Sequence, residues 1–206
     1  MKGKFITFEG SEGSGKSTQI DLAKQYLESK GKDVLYVREP GGVKISEAIR
    51  KILLDPATKD MSDECETLLY MAARAQLVEE VIIPALNSGK VIVCDRFLDS
   101  TVAYQGYGNG VDIEKIKKIG KFVTQGFEPD LTFLFDLDVN DGFARINRPK
   151  DRIEQRSIDY HNRVRKGYLE IAGNAPDRIK LIDACKSKDE IQSIVVQHID
   201  QLLKLG

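Results

Sequence analysis

Apolar residues recur along the chain in two rhythms. Short, mostly apolar runs at positions 5–8, 34–37, 91–94, 131–137 and 179–182 have the length of buried strands. The stretches between them are long enough for crossover helices, and strands without alternating polarity suit a parallel sheet covered on both faces. The pattern predicts an α/β fold, a three-layer sandwich around a five-stranded parallel sheet.

The second rhythm is helical. Ile191, Ile194, Val195, Ile199, Leu202 and Leu203 share one side near the end of the chain, preceded by Ser187 and Glu190 as a capping box. Over 62–86, Leu68, Met71, Ala75, Val78 and Ile82 recur three and four apart and predict a long helix whose last turn Pro84 bends. Tyr70 and Arg74 are four apart and lie off that stripe, on one face. No repeat or Gly/Ser linker interrupts the pattern, so the reading is one domain over 1–206.

Composition narrows the chemistry. The 206 residues are 41% hydrophobic, enough for a sizeable core, and the net charge is −1. Such a balance lacks the global basicity of a non-specific nucleic-acid binder, so any phosphate binding is local. Eight cations against three carboxylates between Arg145 and Lys166 leave one stretch at +5. Cys65, Cys94 and Cys185, with two histidines, fit neither a disulfide framework nor a His/Cys metal site. The opening apolar run is too short for a signal peptide or a membrane span, so the expected compartment is the reducing cytosol (cytoplasmic).

Directly after the first predicted strand, Gly10, Ser11, Glu12, Gly13, Ser14, Gly15, Lys16, Ser17 and Thr18 fit the pattern G-x-x-x-x-G-K-[ST]. Its glycines let successive N–H groups point inward, and the helix beginning near Lys16 adds its positive end. Lys16 is then expected on the β and γ phosphates and Ser17 on Mg2+. The third strand ends in Asp95, where such proteins place a carboxylate on the magnesium shell, and Arg96 follows. Neither a second acid to activate water nor the segments of a GTP-driven switch are found. A cation beside the metal carboxylate suits a second phosphate group approaching the γ phosphate. The acceptor is therefore read as a nucleotide, with Arg38, after the second strand, placed for its phosphate. Tyr70 offers a ring for stacking and Arg74 a fork for phosphate.

With these pieces the chain resembles the thymidylate kinases over nearly its full length. The resemblance rests on Phe8-Glu9-Gly10 into the phosphate loop, Arg38-Glu39-Pro40-Gly41-Gly42, the helix from Leu68-Leu69-Tyr70 to Arg74, Asp95-Arg96-Phe97, Tyr104-Gln105-Gly106, and Asp151-Arg152-Ile153-Glu154. It implies phosphate transfer from ATP, with Mg2+, to dTMP, giving dTDP. It implies that Arg38, Arg74 and Arg96 grip the acceptor phosphate, that Tyr70 stacks on thymine, and that Thr101 and Gln105 bond the base. Tyr104 would crowd the sugar's 2′ position, and Glu12 would lie near the acceptor sugar.

Some relatives carry an arginine inside the loop, where this chain has Glu12, Gly13 and Ser14. The resemblance therefore assigns the missing cation to a lid at about 145–157, with Arg152 as the catalytic lid residue and Arg148 behind it. Asp183-Ala184 looks like the segment bordering the adenine. Tyr70 and Phe97 exchange one ring for another relative to the common pattern, and Val43 and Ser46 depart from it. Homodimers are common among these proteins, and small-molecule substrates are implied rather than nucleic acid or membrane. A kinase for dUMP or dCMP, a nucleotide-regulated switch and a nucleic-acid module using the basic stretch are the competing readings.

Overall fold

The computed structural model describes residues 3–205. Five parallel strands form its sheet: β1 (Lys4–Gly10), β2 (Val34–Arg38), β3 (Val91–Asp95), β4 (Leu131–Asp136) and β5 (Ile179–Asp183). They lie in the order β2-β3-β1-β4-β5. The register pairs Phe8 with Asp95 on one side and Phe133 on the other. The chain turns from one half of the sheet to the other at β1, and ligands in open α/β sheets bind outside the carboxyl ends of strands at that point.

Helices cover both faces. On one, α1 (Lys16–Ser29) and α9 (Lys188–Leu203) press Ile20, Ala23, Leu27, Ile191, Val195 and Ile199 onto Ile6, Phe8, Phe133 and Ile182. The capping box is present: Ser187 accepts from the Glu190 amide, and Glu190 accepts from that of Ser187. The opposite face holds α2 (Lys44–Leu54), α3 (Asp63–Leu77), α4 (Ile83–Asn87), α6 (Ile113–Val123) and α8 (Ile158–Asn174), with short helices α5 (Leu98–Thr101) and α7 (Val139–Ala144). Leu77, Val78, Ile82, Ala85 and Leu86 pack there against Phe5, Val37 and Ile92.

The long helix differs from the sequence expectation in its buried face. Leu68 is 54% exposed, while Glu66, Thr67 and Arg74 are buried beside Met71. Glu66 and Arg74 are held by polar groups of other elements and Thr67 by the Asp63 carbonyl of its own helix, which apolar periodicity cannot register. Pro84 does more than bend the last turn. The backbone runs through a π-helical turn at Val78–Ile82 before α4, whose first turn holds Pro84. A proline lacks the N–H for the regular ladder, and the π-turn shifts the phase of the apolar stripe.

His161 on α8 is buried, its Nε2 has no partner, and its ring meets Phe143 and Tyr160 edge-on at 4.8 and 5.1 Å. Burial lowers its pKa from 6.5. The folded state thus keeps the ring neutral while the unfolded chain takes up a proton below about pH 6.5, so stability is present above that pH and lost below it. His161→Phe is expected to flatten this dependence by at most ~1.4 kcal/mol per pH unit. Denaturant unfolding at pH 7.5 and pH 5.5 measures it, and an unchanged slope would remove His161 from the acid response.

Candidate active site

Every strand delivers a charged residue or a loop to the same edge of the sheet. After β1 the chain curls through Gly10, Gly13 and Gly15, with φ of 134°, 70° and 84°. A Cβ at Gly13 would stand 2.1 Å from the Gly142 carbonyl oxygen, so glycine is required by contact as well as by conformation. The Lys16 ammonium is buried and donates to the carbonyls of Gly10 and Ser11 at 2.8 and 2.7 Å, with the Ser14 hydroxyl at 3.5 Å. Burial, and then the charge of Arg96, lower its pKa to about 8.

At the end of β3, Asp95 has a buried Oδ1 without a hydrogen-bond partner. Arg96 follows with φ 69°, a left-handed backbone that few non-glycine residues adopt. Its Nη2 donates to Glu12 at 2.8 Å, and its Nη1 to Ser100 and Tyr168 at 3.2 and 3.1 Å. The guanidinium lies 5.1 Å from the Tyr104 ring centre. The Tyr104 hydroxyl donates to both Glu12 oxygens at 2.8 Å. Burial raises the Glu12 pKa, but Arg96, Lys16 and the Tyr104 hydroxyl overcome it, and the net shift is downward.

Two clefts open onto this edge. The first is lined by Glu12, Arg50, Tyr70, Arg74, Arg96, Thr101, Tyr104 and Gln105. The second is lined by Ser14, Gly15, Thr18, Gln19, Arg145, Ala184, Lys186 and Lys188. The phosphate loop contributes to both walls.

The sequence-predicted residues divide in three. Tyr70, Thr101, Tyr104, Gln105, Arg96 and Glu12 are brought together in the first cleft, with Arg74. Arg74 is nevertheless engaged: it is 2% exposed, donates through Nε to Glu39 at 2.8 Å and through Nη2 to the Phe97 carbonyl at 3.0 Å. Its fork therefore holds the cleft wall rather than standing open to a phosphate, and only Nη1, on the Met71 sulfur at 3.4 Å, is loosely held. Ser17 and Thr18 stand exposed at the start of α1.

Two expectations are displaced. Arg38 is bonded to Glu47 at 2.9 and 3.2 Å and does not line the first cleft. Arg50, which sequence reasoning missed, does, anchored on the Pro40 carbonyl at 2.8 Å. Its only signal was a place one helical turn beyond Glu47 on α2. Arg152, the expected catalytic lid residue, is buried against α3, with Nη2 2.6 Å from Glu66 and Nε on the Leu53 carbonyl at 2.7 Å. A charge this far inside needs a carboxylate, and Glu66 supplies it. Arg148 is likewise paired, with Glu154 at 2.8 and 2.6 Å. Arg145 alone among the lid cations named here bonds the phosphate loop, through the Gly13 carbonyl at 3.4 Å. Sequence reasoning also passed over Glu66, Ser100 and Tyr168, and took Glu39 only as part of a motif, without a role.

Among the described residues no group of three or more His, Cys, Asp or Glu side chains could hold a metal, and no helix is long and apolar enough to cross a membrane. A magnesium ion carried in by phosphates needs fewer protein ligands. The orphaned Asp95 Oδ1 and the exposed Ser17 hydroxyl fit that need.

Comparison with known proteins points the same way. A profile of the family described as "Thymidylate kinase" matches residues 8–195. The thymidylate kinase of Pelotomaculum thermopropionicum is 48% identical over 206 residues, 98% of this chain and 95% of that one. That of a Geobacillus species is 46% identical over 207 residues, covering 98% of this chain and 99% of its own. The crystal structure of thymidylate kinase from Ehrlichia chaffeensis superposes with a TM-score of 0.80 at 32% identity, over 97% of this chain and 99% of that chain.

Proposed function

Because the chain belongs to the thymidylate kinase family, we propose that its two clefts hold dTMP and ATP end to end and that it transfers the γ phosphate of ATP to dTMP, giving dTDP and ADP. The observation that carries this reading is the phosphate loop standing between the clefts with Arg96 on the acceptor side.

In the acceptor cleft Tyr70 supplies the ring for the base, Thr101 and Gln105 the polar groups at its edge, and Arg96, Arg74 and Arg50 the positive wall toward its phosphate. Arg38 stands behind that wall on Glu47. Tyr104, fixed by Glu12, stands beside the sugar, where a 2′-hydroxyl would meet it. The donor's phosphates take the loop amides of 10–18, and Lys16 exchanges carbonyl partners for phosphate oxygens. Its base lies toward Ala184, Lys186 and Lys188, with Arg145 at the mouth.

Phosphoryl transfer needs attacking and leaving oxygens in line and the charge between them neutralised. Lys16 stands in the phosphate loop between the clefts and Arg96 in the wall of the acceptor cleft. Ser17 and Asp95 would hold Mg2+, which neutralises charge on the β and γ oxygens. Arg152 acts from a distance, tethering the lid to Glu66. The activity is that of one domain acting in the cytosol, and the homodimer is part of the proposal: α3 packs on α6, and each leaves a large side chain in solvent, Leu68 at 54% and Phe122 at 82%.

A panel of monophosphates tests the assignment. With ATP and magnesium, dTMP is expected to be the best acceptor by kcat/KM, about tenfold or more over dUMP, which lacks one methyl group, and further over dCMP. A higher kcat/KM for dUMP or dCMP would move the protein to the neighbouring specificity. ATP hydrolysis indifferent to every acceptor would favour the switch reading.

A further inference from the structure

Glu9, the penultimate residue of β1, lines neither cleft and is fully buried. Its Oε1 accepts the Phe97 amide at 2.7 Å. Its Oε2 accepts the Ser100 hydroxyl at 2.6 Å and the Tyr168 hydroxyl at 2.9 Å. Those two hydroxyls lie 2.7 Å apart, and both accept from Nη1 of Arg96. We propose that Glu9 is a positioning residue for the acceptor side of the reaction: its carboxylate gathers the hydroxyl protons of Ser100 and Tyr168 and so turns their lone pairs onto the Arg96 guanidinium. This rests on the reading of Arg96 as the cation that faces the acceptor phosphate.

Counting protons shows why the group must be an acid. The Phe97 N–H demands an acceptor at Oε1, and the hydroxyl pair demands one at Oε2. A glutamine would turn its carbonyl to Phe97 and its NH2 group to Ser100 and Tyr168. The two hydroxyls and the amide would then bring four protons to three heavy atoms, and one O–H would be driven toward Arg96, which has only donors to offer. The guanidinium would lose the acceptors that hold it, in a segment whose backbone at Arg96 is already strained.

The fold has no use of its own for this charge. Burial first, and then Asp99, push the Glu9 carboxyl up to about 7, against Arg96, Ser100 and the Phe97 amide; Lys16, Cys94, Tyr168 and Arg178 also face it. With a folded pKa above the ordinary 4.5, the protonated form is the one the fold favours, and stability is lost as pH rises through about 7. Removal of this disfavoured charge offsets the misplaced O–H, so a neutral isostere at pH 8 should melt close to the wild type, whereas loss of a residue kept for structure alone would lower the melting temperature.

The test compares the wild type, Glu9→Gln, Tyr168→Phe, Arg96→Ala and the doubles Glu9→Gln/Arg96→Ala and Tyr168→Phe/Arg96→Ala at pH 8, by dTDP turnover with saturating ATP, magnesium and dTMP, and by melting temperature. Glu9→Gln is expected to lose roughly ten- to a hundredfold in turnover, the scale of hydrogen bonds to a charged group, while melting close to the wild type. In the Arg96→Ala background the same change should cost less than about threefold, because it acts through the guanidinium. Multiplicative losses in the double variant, or wild-type turnover in Glu9→Gln, overturn the proposal. Wild-type turnover in Arg96→Ala instead overturns the reading of Arg96 on which it stands. If Glu9→Gln does not fold, Tyr168→Phe decides: about a threefold or larger loss beside intact Arg96 and none without it supports the relay, and equal losses in both backgrounds refute it.

Discussion

Replacing Lys16 with alanine is expected to lower dTDP formation by at least about 10³-fold while leaving the melting temperature near that of the wild type. The ammonium is held in the loop by the Gly10 and Ser11 carbonyls, and burial already pulls its pKa to about 8, so its charge is a burden to the folded chain rather than a support. What it supplies is a positive charge in the loop, where negative charge accumulates as the γ phosphate leaves. Because the loop amides remain, the variant should still bind ATP, with loss concentrated in kcat. Turnover and calorimetric melting together decide it, and near-normal turnover in a folded variant would remove the phosphate loop from the chemistry.

Arg96→Ala is expected to lose a comparable factor, about 10³-fold in kcat/KM for dTMP, divided differently. Arg96 faces the acceptor cleft, so KM for dTMP should rise together with the fall in kcat, while KM for ATP stays within a few-fold. The left-handed backbone at this residue costs the same with arginine or alanine, since both carry a Cβ, so strain is not relieved by the change. Lysine should not restore activity. Three partners are divided between the two Nη atoms of a planar fork, Ser100 and Tyr168 on Nη1 and Glu12 on Nη2, and an ammonium presents a single point. Initial-rate kinetics with each substrate varied in turn measure the split; an unchanged KM for dTMP would place Arg96 on the donor side.

The sheet was legible because its central strands are buried on both faces and even the half-exposed edge strands β2 and β5 are mostly apolar; each predicted run coincides with an observed strand to within two residues at either end. The phosphate loop, Asp95 and Arg96 were legible because they directly follow those runs. Charge pairing was not. Arg38, Arg74, Arg148 and Arg152 all read as free cations in the chain. Their carboxylates lie nine residues away for Arg38, 35 for Arg74, and six for Arg148. For Arg152 the partner is Glu66, from another element altogether. A buried arginine and an exposed one look alike until the partner is placed. Arg50 was missed for the converse reason, its helix having no motif to draw attention to it. The same blindness hid Glu9, which reads as the polar end of a strand and turns out to hold the fork of Arg96.

Glu66 gathers four partners onto one carboxylate: Gln105 and Asn109 donate to Oε1 at 2.9 and 3.0 Å, Arg156 donates to Oε2 at 2.8 Å, and the Arg152 guanidinium forms an ion pair with Oε2 at 2.6 Å. The first pair belongs to the segment whose Gln105 walls the first cleft, the second to the basic loop whose Asp151 and Ile153 line that same cleft. A base held by Gln105, as proposed above, and a loop pulling on its guanidiniums would therefore share a single anchor. Whatever free energy the anchor transmits from one to the other it returns in equal measure, so occupancy of the pocket and posture of the loop form one balance with two pans.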